Sequence, residues 1–322
     1  MKKKILLTFL TLGFLLIAFW VFNKDSETIK DSCDLSVYRF EQDFFSLNPD
    51  SFDIKMPLLK SQYPSFFLDE EVDFKRDVFL NDTLQDIFDT VQKFFQDDLL
   101  DLTQLQKGFC NYKMYFPNHK LSLYTYIEGT FDYRYPVVYA DEKLYVSLDL
   151  FLGSNHLFYT SIPEYIKFSH DFAYLPSTCF ISLAGRHIPY QQPENFISAM
   201  LYYAKAYFFT YNMLPEIQDS VLFKCSQEKI NWCINNERVI WEYMIEKDYL
   251  FSTSPELLER FIFLAPFSKF GLGVDQKSPG SIGVWLGLQI IKSYVKNNNI
   301  SLVDLLSETD YIKILNQSGY KP

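Results

Sequence analysis

The chain has little of what most catalytic signatures require: among 322 residues there are four histidines, five cysteines and 11 glycines. His119, His156, His170 and His187 show no i, i+4 pairing, and no His-Glu-x-x-His occurs, which excludes the usual helical zinc motif. Cys33, Cys110, Cys179, Cys225 and Cys233 contain no Cys-x-x-Cys, so zinc ribbons and thioredoxin-type chemistry are excluded as well. An odd count leaves at least one thiol without an intrachain partner. Cys225 and Cys233 are the one locally spaced pair, although buried cysteines otherwise behave as small hydrophobes. Gly-x-Ser-x-Gly elbows, Walker A loops and dinucleotide fingerprints are missing, and no cofactor is expected. Basic blocks are lacking beyond Lys2 to Lys4, and the net charge is −10, so nucleic acid is not an expected partner.

What is present is apolar and aromatic. Hydrophobic residues make up 48%, with 32 Phe and 23 Tyr, enough for a substantial core and contrary to disorder. Lys2 to Lys4 precede an uncharged apolar run, Ile5 to Phe22, that ends in Ala18-Phe19-Trp20-Val21-Phe22 without the small-x-small pattern of a cleavage site. The run therefore reads as a membrane anchor over residues 1–22, with the chain from about Asn23 outside the cytoplasm. Residues 23–34 are polar and aperiodic and read as a linker. Residues 35–322 read as one domain.

Within that domain the hydrophobic period changes twice. Val37, Phe40, Phe44 and Phe45 form one helical face, and Leu84, Ile87, Phe88, Val91, Phe94 and Phe95 another, with Pro57 and Pro64 punctuating short helices between them. Tyr112 to Phe116, Leu121 to Ile127, Tyr135 to Ala140 and Leu144 to Leu148 read as strands, with a hairpin candidate at Tyr139 to Lys143. Helices follow over Asn195 to Tyr211, Ser226 to Lys247, Pro255 to Phe263 and Ile282 to Val295. The order helices, strands, helices predicts an α+β class: a predominantly helical domain around a small mixed or antiparallel sheet.

The last of these helices has the most unusual composition. Ser278-Pro279-Gly280 is a turn signal, Ser281 is the expected N-cap, and Gly283 and Gly287 lie one turn apart inside the helix. Each glycine costs about 1 kcal/mol relative to alanine there, which close approach of another backbone offsets. Trp285 is expected to fill the space beside them. Catalytic residue types are dispersed. His170-Asp171 and Arg186-His187 lie in separate Pro-bounded segments, and Glu237, Glu242 and Glu246 lie on the helix around Trp241, the last two sharing a face.

Four segments taken together resemble one family. They are Tyr145-Val146-Ser147-Leu148-Asp149-Leu150-Phe151-Leu152-Gly153, Ala204-Lys205-Ala206-Tyr207-Phe208, Glu237-Arg238-Val239-Ile240-Trp241, and Ser278-Pro279-Gly280-Ser281-Ile282-Gly283-Val284-Trp285-Leu286-Gly287. The chain from about Val37 onward is similar to the gliding-motility lipoprotein GldB family of Bacteroidetes. The resemblance implies a Gram-negative envelope location, a requirement in surface gliding, and partners in the machinery that also serves type IX secretion. It marks Gly153, Lys205, Trp241, Ser278, Pro279, Gly280, Gly283, Trp285 and Gly287 as signature positions, with no catalytic or metal-binding residue among them. Family members carry a lipobox cysteine directly after the apolar run, whereas here the first cysteine is Cys33, preceded by Lys30-Asp31-Ser32. A remoter similarity to zinc-peptidase-like proteins implies a zincin-like arrangement, but the matching helix, Phe196 to Lys205, holds neither His nor Glu. The expectation is a non-enzymatic envelope protein that binds other proteins. The alternative is a hydrolase assembled from His170, Asp171, His187, Glu242 and Glu246.

Overall fold

Four strands form one mixed sheet in the order β1-β2-β4-β3, in a computed structural model that describes residues 33–67, 72–96 and 100–322. The apolar run 5–22 and most of the linker lie outside the described residues. Strands β1 (Ser36–Arg39), β2 (Ser122–Tyr126) and β4 (Lys143–Ser147) are parallel, and β3 (Val137–Ala140) is antiparallel to β4. The β3–β4 connection places Asp141 and Glu142 at φ +49° and +61°, the left-handed pair that a two-residue hairpin matched to strand twist requires.

The two faces of the sheet meet different cores, because side chains alternate along each strand. Leu123, Leu144 and Val146 are fully buried on one face. On the other, Tyr38, Tyr124 and Tyr145 pair in register across three strands, with ring centroids 4.7 and 5.6 Å apart. This tyrosine row packs on Tyr63 and Phe66, at the edge of an aromatic cluster that includes Phe40, Phe44, Phe52, Phe79 and Phe88. Helices Phe40–Phe45, Phe52–Gln62, Val72–Phe79 and Asp82–Phe94 carry most of that cluster. The opposite face is continuous with a larger core built on helices Leu175–Ala184, Phe196–Met213, Gln227–Glu246 and Ile282–Asn298. Leu84 and Ile127 touch both cores. The class is α+β, with a small mixed sheet. No helix among the described residues is long and apolar enough to cross a membrane.

Several local readings differ from the structure. Tyr112 to Phe116, read as a strand, belongs to the helix Thr103–Tyr115. Leu105, Gly108, Phe109 and Tyr112 are its buried residues, and their helical spacing outweighs the β-propensity of the tyrosines. Strand β1 was read as the start of a helical face. Its residues are mostly exposed, and its partner strand is distant in sequence, so no local pattern marks it. Pro57 lies inside the helix Phe52–Gln62 instead of ending it. It is exposed, and water is therefore available to the carbonyl that its ring leaves without a donor.

The fold decides a cysteine pairing that spacing leaves open. Cys33 is buried and disulfide-bonded to Cys110, 77 residues away, while Cys179, Cys225 and Cys233 are buried free thiols. The locally spaced pair Cys225 and Cys233 is thus not bridged. Burial pushes the Cys225 thiol up to about 12, which keeps it protonated and unreactive at neutral pH. Buried Glu41 accepts from Thr125 Oγ1 at 2.7 Å and pairs with Arg39 Nε at 2.6 Å. Burial raises its carboxyl pKa, and Arg39 and Thr125 work against the rise.

Candidate functional site

The Ser278 to Gly287 segment is held by a side chain that no local pattern reveals. Ser281 precedes the helix Ile282–Asn298 but sits at φ +58°, and its Oγ donates to Phe263 O at 3.2 Å instead of capping the helix. The capping oxygen comes from Ser268, fourteen residues upstream: Ile282 N donates to Ser268 Oγ at 3.2 Å, and Ser268 Oγ donates to Pro279 O at 2.8 Å. Ser268 N in turn donates to Ser278 Oγ at 3.0 Å, and Ser278 Oγ donates to Asp275 O at 2.7 Å. Both serines are fully buried, so these bonds satisfy groups that are otherwise expensive to desolvate.

Close backbone approach explains the glycines. A Cβ at Gly280 would stand 2.1 Å from Ala265 O, one at Gly283 would stand 2.9 Å from Phe261 O, and one at Gly287 would stand 2.6 Å from Met200 O. The turn is thus pressed on the Leu264 to Pro266 segment, and the helix on Phe196–Met213. Trp285 is buried in the same helix, with its indole N–H unpartnered.

This packing builds one wall of a half-open cleft of about 270 Å³. Leu264, Ala265, Pro266 and Gly280 form that wall, Glu164, Tyr165 and Phe168 a second, and Phe223, Lys224, Cys225, Ser226 and Lys229 a third. Burial lowers the Lys224 pKa to about 8 and lowers that of Lys229 as well. The cleft is therefore apolar with two cations in its lining. Sequence reasoning missed both lysines, since neither belongs to a motif; only a lysine set between Phe223 and Cys225 hints at an apolar setting.

The dispersed acid and base residues have other duties. Buried His170 directs Nδ1 to Leu150 O at 2.6 Å, its Nε2 is unpartnered, and burial lowers its pKa. Its carbonyl accepts from Gly153 N at 3.0 Å, and Asp171 Oδ1 accepts from Ser154 N at 2.8 Å, so the two residues hold a loop whose Gly153 has φ +102°. His187 stacks on Phe116 and meets Tyr112 Oη at 3.0 Å, and burial lowers its pKa to about 4. Glu242 pairs with Arg238 at 2.8 Å on an exposed face, and Glu237 accepts from Tyr320 Oη at 2.7 Å. Half-buried Trp241 stacks edge-on with Tyr320. None of these contacts joins His170 to His187, or either histidine to the Glu242 and Glu246 face. Among the described residues no group of three or more His, Cys, Asp or Glu side chains is placed to hold a metal ion.

Lys205, on the helix Phe196–Met213, is fully buried, donates to Leu306 O at 3.3 Å and to Glu308 O, and lies 5.0 Å from the Tyr311 ring centroid. Burial lowers its pKa to about 8 from the ordinary 10.5. Between those two values the unfolded chain binds more protons at this site than the folded one, so the Lys205 contribution to stability rises with pH across this window, against an opposing fall from the buried thiols of Cys179, Cys225 and Cys233, which ionise first in the unfolded chain. Lys205→Met should remove that contribution, with Lys224 and the thiols leaving a residual slope. Urea midpoints compared at pH about 8 and about 9.5, below the tyrosine range, check this; equal slopes in the two proteins would refute the assignment.

Comparison with known proteins gives one match. The family model described as gliding motility protein GldB matches residues 22–322. Searches of curated proteins and of solved structures gave no match. The matched range covers nearly the whole chain, including the sheet, the Lys205 helix and the glycine-bearing helix described above. The chain belongs to the gliding motility protein GldB family, a lipoprotein family, and that membership implies a role in gliding motility.

Proposed function

We propose that this protein serves gliding motility by holding other envelope proteins of the gliding and type IX secretion machinery, and not by catalysis. The observation that carries this reading is an exposed apolar flank on the helix Gln227–Glu246. Ile230, Cys233, Ile240 and Met244 are its buried face. Ile234, Trp241 and Ile245 follow at helical spacing along a neighbouring line, with Ile234 55% and Ile245 48% exposed. Trp241 and Tyr320 extend the strip with aromatic surface of the kind that anchors interfaces. The structural duties of His170, Asp171, His187 and Glu242 support the same reading.

Ile234→Glu combined with Ile245→Glu should abolish retention of partners in cross-linked envelope extracts while shifting stability by less than about 0.5 kcal/mol, as exposed substitutions do. An unchanged partner set would count against this flank. A hydrolytic activity of the purified protein that is lost on changing Asp171 or His187 would favour the hydrolase alternative.

For attachment, we propose that residues 5–22 hold the chain to the membrane with the domain on the periplasmic side. The sulfur of Cys33, the first cysteine, is engaged in the bridge to Cys110, and a lipobox thioether would need that same atom. The expected mass of the mature protein retains residues 5–22 and carries no acyl group on Cys33; a diacylated N-terminal cysteine would overturn this.

A further inference from the structure

We infer that the cleft between Tyr165, Phe223 and Ala265 is a binding site for a medium-chain aliphatic carboxylate. The inference is independent of the partner-binding reading above. Its first support is the combination of wall and charge. Tyr165, Phe168, Phe223, Leu264, Ala265 and Pro266 offer an apolar lining, while Lys224 and Lys229 enter from one side. Among the described residues the Lys224 ammonium makes no hydrogen bond or ion pair, and Lys229 Nζ donates to Pro266 O at 2.5 Å, leaving two of its three ammonium donors unused. Cationic heads placed in apolar surroundings without an anion are costly, and a carboxylate supplies the missing partner through charge-assisted hydrogen bonds.

The surrounding groups are consistent with an anion. Glu164 is the one carboxylate in the lining; it is strongly exposed and already paired with Lys167 at 2.7 Å. Cys225, also in the lining, is held neutral by burial, and the Lys224 charge is felt by His170 and Cys179 behind it, both uncharged at neutral pH.

A second observation is conformational. Lys224 has φ +50°, a left-handed backbone that costs a residue with a side chain roughly 1 kcal/mol or more. This conformation ends the helix Asp219–Leu222, where Cys225 N donates to Ser220 O at 3.0 Å, and it leaves the lysine at the cleft. The opposite wall is held firmly by the contact of Gly280 with the Ala265 backbone. The volume of about 270 Å³ lies at the low end for ligand pockets, suited to one carboxylate and a short aliphatic body. A peptide would need main-chain hydrogen bonding along its length, which walls of Phe, Leu, Ala and Pro do not supply.

Reductive methylation of the full-length protein, read lysine by lysine by mass spectrometry with and without octanoate, tests the site. Without ligand, Lys224 should react fast near neutral pH because burial holds its pKa near 8. Saturating octanoate should slow Lys224 and Lys229 about tenfold, as about 90% occupancy would, and leave Lys292 unchanged. Acetate, which lacks the tail, and octanol, which lacks the charge, should protect neither lysine. Lys224→Met should abolish protection of Lys229; the wild-type footprint decides the matter if that variant does not fold. Absence of protection, or equal protection by octanol, overturns the proposal. Stronger protection by a short peptide with a free apolar C-terminus replaces the aliphatic acid with a polypeptide end.

Discussion

Gly287→Leu should leave the chain unable to fold, and Gly287→Ala should destabilise it by about 2–3 kcal/mol, the range of overpacking in a rigid core. The reason is the identity of the atoms that meet the added carbon. A Cβ at Gly287 would lie 2.6 Å from the carbonyl oxygen and 2.9 Å from the carbonyl carbon of Met200, with Ala204 Cβ at 3.1 Å. Two of these are main-chain atoms inside a helix, so no side-chain rotation relieves the overlap. The helices Ile282–Asn298 and Phe196–Met213 must separate instead, opening contacts among fully buried residues such as Leu286, Ile290, Met200 and Leu201. Helix propensity alone predicts the opposite sign, a gain of about 1 kcal/mol for Gly→Ala. Urea denaturation of the alanine variant therefore separates the two effects: a raised midpoint with an unchanged slope would show that close packing is not what the glycine serves. Gly280→Ala should behave as the leucine variant does, since its Cβ would stand 2.1 Å from Ala265 O.

Reduction of the Cys33–Cys110 bridge should lower stability by about 4 kcal/mol, the loop-closure entropy of a long crosslinked segment. The closed loop spans 77 residues and contains the entire aromatic cluster on the tyrosine face of the sheet. Without the crosslink the unfolded chain gains freedom while the native contacts remain, so the loss appears in the midpoint even if the folded structure is unchanged. Denaturation with and without reductant, and of Cys33→Ser with Cys110→Ser, measures it. Equal midpoints in oxidised and reduced protein would refute the estimate. A bridge of this kind persists in oxidising compartments, which supports placement of the domain outside the cytoplasm.

Legibility in the sequence followed locality. The helices at Phe196–Met213, Gln227–Glu246 and Ile282–Asn298 lie within a few residues of where periodicity puts them, because their apolar spacing repeats over several turns. Strands β2, β3 and β4 and the hairpin between the last two were also readable, from alternation and turn residues. Strand β1 was not, since its four residues, mostly exposed, become a strand only by pairing with β2. The Ser268 cap was hidden for the same reason: Ser281 has the residue type and position of a cap, but its left-handed backbone turns the hydroxyl to Phe263 O.

The cleft shows the limit most sharply. Gly280 was readable as a turn residue, yet its neighbours there come from Glu164 to Phe168, Phe223 to Lys229 and Leu264 to Pro266, three stretches that no spacing connects. By itself the sequence determined the α+β class, the long helices and the family resemblance, and it pointed to close packing at Gly283 and Gly287. Tertiary structure alone decided which cysteine pairs with Cys33, which serine caps the signature helix, and that Lys224 and Lys229 share an apolar cleft. Periodicity and turn chemistry act between residues a few positions apart and are written in local order. Disulfide pairing, long-range capping and the burial of a charge depend on which distant segments the packed core brings into contact.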